Sequence, residues 1–213
     1  MGNAELGAET GLPILVRAIQ AGQLRHMTAK PKSEADPNPQ PAATPPRRIV
    51  LTGFMGSGKT TVGPLVAARL GWSFLDVDDV IEAEAGATIA ELFARHGEAP
   101  FREREHATIA RLAARDGLVL ALGGGAIEHS ATRSLLRAAP GTLLVHLEVE
   151  LATTLARCRG TEHTRPVLAD QANLASRYER RLPLYRTAHV SIQSDALTPE
   201  ETVEAILKAA RLG

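Results

Sequence analysis

The feature that most constrains this chain is a glycine-rich stretch, GFMGSGKTT, at residues 53–61. The short apolar run RIVLT, residues 48–52, comes directly before it and is typical of a buried strand. Residues 59–70 follow with the apolar spacing of a helix. Glycine adopts backbone angles that other residues avoid, so the stretch predicts a tight turn from a strand into a helix.

This turn also has the residues of an anion-binding loop, which we call the phosphate loop (residues 53–61). Its spacing, Gly53-x4-Gly58-Lys59-Thr60, matches the Walker A motif, in which backbone N–H groups and the helix N-terminus attract phosphates. Lys59 would reach the outer phosphates, and the Thr60 hydroxyl would ligate Mg²⁺. The alternatives are a turn with an incidental lysine and a dinucleotide fold, whose third glycine is not at the required spacing. We therefore predict a site for a nucleoside triphosphate with Mg²⁺.

Strand and helix signals alternate from residue 48 to the end of the chain, which predicts parallel strands joined by crossover helices in an α/β layered fold. Thr88 and Thr198 each have a glutamate three positions later, the capping-box spacing that opens a helix. Residues 160–170 lack periodicity and predict a loop. The predicted strands are 48–52, 73–75, 118–122, 142–147 and 189–192, and the predicted helices are 59–70, 79–85, 88–96, 101–115, 130–138, 151–157, 172–186 and 199–212.

The first 47 residues differ in composition from the rest. Six of the 13 prolines lie close together among Ser, Asn, Gln and Ala, a composition that buries too little apolar surface to offset the entropy of ordering. Residues 13–24 could form an amphipathic helix, but an isolated helix of that length is marginal in water. We expect residues 1–47 to be a disordered or weakly structured extension and linker, with a docking element as the alternative, and residues 48–213 to be one domain.

Composition excludes several partners. The 24 basic and 24 acidic side chains cancel, so the overall charge favours neither nucleic acid nor a membrane surface. Aromatic residues are 3% of the chain and offer little surface for stacking bases. No stretch approaches the roughly 18 apolar residues of a membrane helix, and the single cysteine, Cys158, fits a reducing compartment. We expect a cytoplasmic protein that binds neither nucleic acid nor membrane.

A phosphate loop alone leaves a motor, a switch, a transporter ATPase or a small-molecule kinase open. Asp76 and Asp78 follow the second predicted strand, at the edge of the sheet where open α/β folds bind ligands. One carboxylate could face the metal and the other an acceptor hydroxyl; the alternative is a solvated acidic turn. Arg102, Arg165 and Arg181 are planar donors suited to a substrate carboxylate, although each alone is more often a surface charge.

Taken together, these residues resemble those of the shikimate kinase family, P-loop enzymes that phosphorylate the 3-hydroxyl of shikimate in aromatic amino acid biosynthesis. The resemblance covers roughly residues 48–212. It implies a three-layer α/β/α fold with a five-stranded parallel sheet, a helical substrate-binding insert around residues 80–106 and a mobile lid around residues 159–170. Separately, we expect a monomer. The motifs that carry the resemblance are residues 53–61, Asp76-x-Asp78 with Ile81-Glu82, Phe101-Arg102-x-x-Glu105, Gly123 to Gly125, Arg165-Pro166-x-Leu168 and Arg181-x-Pro183-Leu184-Tyr185.

On the nucleotide side, the resemblance implies that Asp76 acts with Thr60 at Mg²⁺, usually through water. Arg165 resembles the lid arginine that closes on the phosphates. Arg157 resembles the arginine that flanks adenine, with Cys158 or Arg159 as alternatives for that position. The implied ATP-binding residues are Gly53, Gly56, Ser57, Gly58, Lys59, Thr60, Thr61, Arg157 and Arg165.

On the acceptor side, the resemblance implies that Asp78 contacts the hydroxyl to be phosphorylated. Arg102 and Arg181 would bind the carboxylate of shikimate, and Glu105 would orient Arg102 through a hydrogen bond one helical turn away. The backbone of Gly123, Gly124 and Gly125 would complete the substrate site. The implied catalytic residues are Lys59, Asp78 and Arg165.

Rival functions lack part of this pattern. A gluconate-type or nucleoside-monophosphate kinase shares the phosphate loop and lid. The acid pair, Asp76 and Asp78, followed by Arg102 and three glycines, argues against both. A GTP-dependent switch requires Asn-Lys-x-Asp, which does not occur in the chain. A non-catalytic nucleotide-binding module would be favoured if Asp78 or Arg102 were missing. The resemblance therefore implies ATP-dependent phosphorylation of shikimate.

Overall fold

The structure is a computed structural model, and it describes residues 45–158 and 171–212. The expected extension up to residue 44, including the candidate helix at 13–24, lies outside the described residues. So does the predicted loop at 160–170 with Arg165, together with Arg159.

Five parallel strands form a sheet in the order β2-β3-β1-β4-β5, as the resemblance implied. The central strand, β1, is buried at every position, because helices cover both faces of a parallel sheet. It pairs with β3 on one side and β4 on the other, so the chain leaves β1 at the point where the strand order reverses. The strands are β1 (Arg48–Thr52), β2 (Ser73–Asp76), β3 (Leu118–Ala121), β4 (Thr142–Glu148) and β5 (Val190–Gln193).

The helices lie on both faces of this sheet. Both predicted capping boxes are confirmed. The side chains of Thr88 and Thr198 each accept from the backbone N–H three residues later, and the glutamate at that position accepts from the backbone N–H of the threonine. None of the helices in the described part of the chain is long and apolar enough to cross a membrane. The helices are α1 (Lys59–Leu70), α2 (Val77–Ala85), α3 (Ile89–His96), α4 (Glu98–Leu112), α5 (Ser130–Ala138), α6 (Leu151–Cys158), α7 (Gln171–Tyr185) and α8 (Pro199–Ala210), with a 3₁₀ helix at Ala126–Glu128.

Alternation along β1 divides the core into two layers. Ile49 and Leu51 face α1 and α8, where they pack with residues such as Val66 and Ile206. Val50 points to the other face, into a cluster with side chains from α2, α3, α4 and α5. Successive strand residues point to opposite faces, so a five-residue apolar strand supplies both layers. This is the three-layer α/β/α arrangement.

Several predicted bounds are wrong by a few residues, and capping explains the one that concerns the site. The second strand runs to Asp76, whose Oδ1 accepts the Asp78 N–H at 3.0 Å and so caps α2. The helix therefore begins at Val77, and Asp78 lies in its first turn rather than between the elements. The other strands differ as follows: β3 ends at Ala121, β4 extends to Glu148, and β5 spans Val190–Gln193. Among the helices, α4 begins at Glu98, after Gly97, and ends at Leu112, and α6 extends to Cys158. Helix α7 spans Gln171–Tyr185, and α8 ends at Ala210.

One buried glycine lets α1 approach the sheet. A Cβ on Gly63 would lie 2.8 Å from Cδ2 of Phe74 on β2, so α1 and β2 can be this close only without a side chain. We expect Gly63→Ala to lower the free energy of unfolding by about 1–3 kcal/mol, because overpacking outweighs the ~0.5–1 kcal/mol helix preference of alanine. Urea unfolding measures this, with Ala68→Gly, an exposed position on the same helix, reporting helix propensity alone. A Gly63→Ala protein more stable than the original would contradict the close approach.

Candidate active site

The phosphate loop has the backbone that its glycines predicted. Gly53 has a φ of 146°, and a Cβ there would lie 2.5 Å from the carbonyl oxygen of Leu147 on β4. Gly58, with a φ of 95°, is the N-cap of α1, and no side chain caps that helix. The N-terminus of α1 therefore has no side-chain cap, and the helix dipole favours an anion there.

Lys59 lies over this loop. Its Nζ donates to the carbonyl oxygens of Gly53 at 2.8 Å and Phe54 at 3.0 Å, and to Oγ of Ser57 at 3.3 Å. The ammonium group is therefore held at the mouth of the loop by polar partners of the loop itself. A lysine in this position carries its positive charge to whatever anion the loop binds.

A cavity of about 650 Å³ opens above the phosphate loop. Most of the predicted ATP-binding residues line it, as do both members of the acid pair. Gly53, Arg102, Glu105, Gly125 and Arg181 are not part of its lining. The predicted residues that line the cavity are Gly56, Ser57, Gly58, Lys59, Thr60, Thr61, Asp76, Asp78, Gly123, Gly124 and Arg157.

The two carboxylates of the acid pair, Asp76 and Asp78, contact different parts of the site. Oδ2 of Asp76 accepts from the Thr60 hydroxyl at 3.4 Å, on the nucleotide side. Asp78 lies on the other side, and a Cβ on Gly123 would be 2.7 Å from its Oδ1. Burial, with the neighbouring charge of Asp76, raises the pKa of Asp78 to about 6. Burial also raises the pKa of Asp76 above its usual range.

The oxygens of Thr60 and Asp76 fit a magnesium ion. Mg²⁺ prefers oxygen ligands and is usually held by one or two carboxylates together with water and phosphate oxygens. The 3.4 Å between the hydroxyl and carboxylate oxygens places two such donors side by side at the cavity. In the described ranges, no three His, Cys, Asp or Glu side chains converge, so these residues offer a partial ligand set.

Three consecutive glycines, Gly123, Gly124 and Gly125, follow β3, and we call them the glycine triplet. Each lies against a side chain that the sequence analysis selected. Gly123 faces Asp78 and Glu105, whose Oε1 would be 3.0 Å from a Cβ there. Gly125 faces the guanidinium of Arg102, with Cζ 2.7 Å from the Cβ position. The triplet thus allows three helices to bring charged groups to one stretch of backbone.

Glu105 holds Arg102 as predicted. Nη1 of Arg102 donates to Oε2 of Glu105 at 2.6 Å, one turn along α4. Glu98 adds a second acceptor at 3.2 Å, and the guanidinium lies over the rings of Phe93 and Phe101. Burial raises the pKa of Glu105 to about 7, and the charge of Arg102 opposes this. Carboxylates and aromatic rings on three sides of Arg102 fix the direction of its remaining donors.

Arg181 has a partner that the sequence analysis missed. The side chain of Arg181 is 7% exposed, and its Nε and Nη2 donate to Oε2 of Glu128 at 2.9 and 2.6 Å. Tyr185, one turn later on α7, donates its hydroxyl to the carbonyl oxygen of Gly124 at 2.5 Å. Glu128 belongs to no motif, and its only signal was its position shortly after the triplet.

Arg157 also lines the cavity. Its guanidinium donates to the carbonyl oxygen of Gly56 at 3.3 Å and to that of Ser194 at 2.9 Å. Cys158 also lines the cavity, and a Cβ on Gly56 would approach its Sγ to 3.0 Å. Of the three residues considered for the adenine position, Arg157 and Cys158 therefore lie at the cavity, and Arg159 is outside the described residues.

The assembled groups suit one class of chemistry. An anion-binding loop with a lysine lines the same cavity as a partly buried carboxyl group, and two arginines lie against the glycine triplet beside that group. Phosphoryl transfer needs little beyond positioning and charge stabilisation, which such groups supply. The arrangement can therefore move a phosphoryl group from a nucleotide to a hydroxyl on a small acid.

Comparison with known proteins agrees with this chemistry. The family model described as shikimate kinase matches residues 55–211. A shikimate kinase from Salinibacter ruber is 42% identical over an alignment of 174 residues, and the match covers 76% of this chain and 84% of that protein. One from Moorella thermoacetica is 45% identical over 152 residues, 70% of this chain and 86% of that protein.

A solved structure supports the same conclusion. The shikimate kinase from Acinetobacter baumannii in complex with shikimate is 38% identical and superposes with a TM-score of 0.71. The match covers 78% of this chain and 92% of that one. The family model spans most of the domain, and the relatives are about two fifths identical to this chain. The chain therefore belongs to the shikimate kinase family.

Proposed function

We propose that this chain transfers the γ-phosphoryl group of ATP to the 3-hydroxyl of shikimate, giving shikimate 3-phosphate and ADP. The observation that carries the proposal is the arrangement around the glycine triplet, where Asp78, Arg102 and Arg181 face one stretch of backbone beside the phosphate loop. Membership of the shikimate kinase family supports this assignment.

On the nucleotide side, the loop N–H groups and Lys59 bind and orient the phosphates. Thr60 and Asp76 would hold Mg²⁺, which would neutralise phosphate charge. Arg157 flanks the base. Arg165, which is outside the described residues, would stabilise the charge of the transferring phosphoryl group.

On the acceptor side, Arg102 and Arg181 bind the carboxylate of shikimate, since paired guanidinium donors match a planar carboxylate. Glu105 orients Arg102, and the backbone of the glycine triplet completes the site. Asp78 accepts the proton of the 3-hydroxyl while the oxygen of that hydroxyl bonds to the γ-phosphorus and ADP leaves. With a pKa of about 6, this carboxyl is largely ionised at neutral pH and still basic enough to take the proton.

Several properties of the whole protein belong to the same proposal. The chain acts as a cytoplasmic monomer on shikimate and ATP, without nucleic acid or membrane as a partner. Balanced charge argues against a nucleic-acid or membrane partner, and a single cysteine fits the reducing cytoplasm. Residues 1–47 form the extension and linker, and residues 48–213 form the kinase domain.

The deciding test is ADP production by the purified protein with Mg-ATP, in the presence and absence of shikimate. We expect ADP to form in step with shikimate 3-phosphate, and Asp78→Ala to abolish this. Gluconate and nucleoside monophosphates serve as alternative acceptors in the same assay. Faster turnover with either of them, or shikimate recovered unmodified, would refute the assignment.

A substitution in the glycine triplet tests the acceptor side separately. Gly125 has a φ of −95°, which alanine adopts without strain, so Gly125→Ala acts mainly by pushing Arg102 aside. We expect KM for shikimate to rise on the order of tenfold to a hundredfold, because a small misplacement of a binding group is costly. KM for ATP should stay within about twofold, since the phosphate loop is untouched. Steady-state kinetics measures both, and a change confined to ATP would show that the two sites are reversed.

A further inference from the structure

Glu128 links two neighbouring arginines of α7. It is the last residue of the 3₁₀ helix after the glycine triplet. Its Oε2 accepts from Nε and Nη2 of Arg181 at 2.9 and 2.6 Å. Its Oε1 accepts from Nε and Nη2 of Arg180 at 3.1 and 3.0 Å. Each carboxylate oxygen is therefore engaged by a different guanidinium.

The two arginines stand in different surroundings. The side chain of Arg181 is 7% exposed, whereas that of Arg180 is 61% exposed. A guanidinium as buried as Arg181 requires a compensating carboxylate, because an unpaired buried charge is strongly unfavourable. Arg180 holds the same carboxylate from the solvent side, where an ion pair alone contributes little stability. The important bond of Glu128 is thus the one to Arg181.

The backbone that bears Glu128 is itself fixed. Arg133 on α5 donates Nη1 to the carbonyl oxygens of Ile127 at 2.6 Å and Glu128 at 2.9 Å. The pKa of the Glu128 carboxyl lies below its usual range: burial acts to raise it, but the bonds and charges of Arg181 and Arg180 prevail. Arg181 is therefore paired with an ionised group on an anchored turn.

The edge of Arg181 that Glu128 occupies determines where the other donors point. The guanidinium is a rigid fork, so fixing Nε and Nη2 also fixes Nη1. A Cβ on Gly124 would lie 3.8 Å from Nη1 and 3.7 Å from the Tyr185 hydroxyl, which is also hydrogen-bonded to Arg181. Glu128 and Tyr185 thus hold Arg181 so that Nη1 faces the glycine triplet, where an incoming carboxylate would bind.

We propose that Glu128 is a positioning residue for the acidic acceptor: it holds Arg181 by one edge so that Nη1 meets the carboxylate of the substrate. The inference rests on the proposed function, in which that carboxylate belongs to shikimate. Glu128 then does for Arg181, from a different element, what Glu105 does for Arg102. It supports the substrate carboxylate rather than competing with it.

The test is a kinetic comparison of Glu128→Ala, Glu128→Gln and Arg180→Ala with the original protein. We expect Glu128→Ala to raise KM for shikimate about tenfold, the effect of one charge-assisted hydrogen bond, with kcat and KM for ATP within about twofold. Glu128→Gln should restore part of the affinity, because an amide oxygen still accepts from Arg181. Arg180→Ala should have a smaller effect than Glu128→Ala. Glu204→Ala, which removes an exposed ion pair with Arg69 on α1, is the matched control and should change none of these constants.

A double-mutant cycle with Arg181→Ala separates positioning from general structural loss. If Glu128 acts through Arg181, Glu128→Ala should cause no further rise in KM for shikimate in the Arg181→Ala background. An equal rise in both backgrounds would overturn the proposal, as would a lower KM for shikimate in Glu128→Ala, which would make Glu128 a competitor of the substrate. Failure of the original protein to phosphorylate shikimate would instead refute the proposed function. A fully active original protein with an unaltered Glu128→Ala would refute only the role of Glu128.

Discussion

Replacing Asp78 by asparagine should reduce kcat with shikimate by about 10³, within the 10²–10⁴ range that proton transfer to a positioned base contributes. The amide keeps the size of the side chain and its place beside Gly123 but cannot accept the proton of the hydroxyl. In the original protein, kcat/KM should fall about tenfold per pH unit below about pH 6, as Asp78 becomes protonated. The pH profile from 5 to 8 measures this limb, and the residual activity of Asp78→Asn should lack it.

The same substitution should stabilise the fold, which separates loss of function from loss of structure. The folded protein holds the Asp78 proton more tightly than the unfolded chain, because the pKa rises from 3.8 to about 6. Ionisation therefore costs stability as the pH rises from about 4 to 6, and the whole cost is present at pH 7. Asparagine removes it, so we expect the free energy of unfolding at pH 7 to rise by up to about 3 kcal/mol. Turnover close to that of the original protein would eliminate Asp78 as the base.

Replacing Lys59 by methionine should lower kcat by on the order of 10²–10³, the effect of removing one donor from a site of developing charge. Methionine keeps an unbranched side chain but loses the charge that the loop carbonyls hold at 2.8 and 3.0 Å. We also expect KM for ATP to rise, since the outer phosphates lose a cation in the ground state as well. Steady-state kinetics with varied ATP at saturating shikimate separates the two effects.

Lys208→Met on α8 is the matched control for this experiment, because it removes the same charge from an exposed position. It should leave kcat and both KM values unchanged. Binding of shikimate to Lys59→Met, measured by calorimetry without nucleotide, should match the original protein, since Arg102 and Arg181 remain. If Lys59→Met turned over at the original rate, the phosphate loop would not be the site of transfer.

Local signals predicted the fold well. The alternation of short apolar strands and helices predicted a parallel sheet, and the two capping boxes at Thr88 and Thr198 are present. Among the wrong bounds, the one at the site lies where a side chain caps an element. Asp76 ends β2 and caps α2 through one carboxylate, so the boundary depends on a hydrogen bond to Asp78 that composition does not reveal.

The candidate site likewise has contacts that sequence spacing predicts and contacts that it does not. The phosphate loop is contiguous in sequence, and its spacing alone implied the turn, the lysine and the helix N-terminus. Arg102 and Glu105 are one helical turn apart, so their 2.6 Å bond could be anticipated. Glu128 and Arg181 are 53 residues apart and pair only because α7 packs against the 3₁₀ helix after β3. No spacing rule predicts such a pair.

The sequence by itself determined the nucleotide half of this protein, because a strand, a glycine loop and a helix in succession require no distant partner. It also supplied the acids and arginines of the acceptor half. Only the tertiary structure decided how those side chains meet. Glycines 123, 124 and 125 admit groups from α2, α4 and α7 to one stretch of backbone because they have no side chains, and the packing of those helices determines which group each glycine faces.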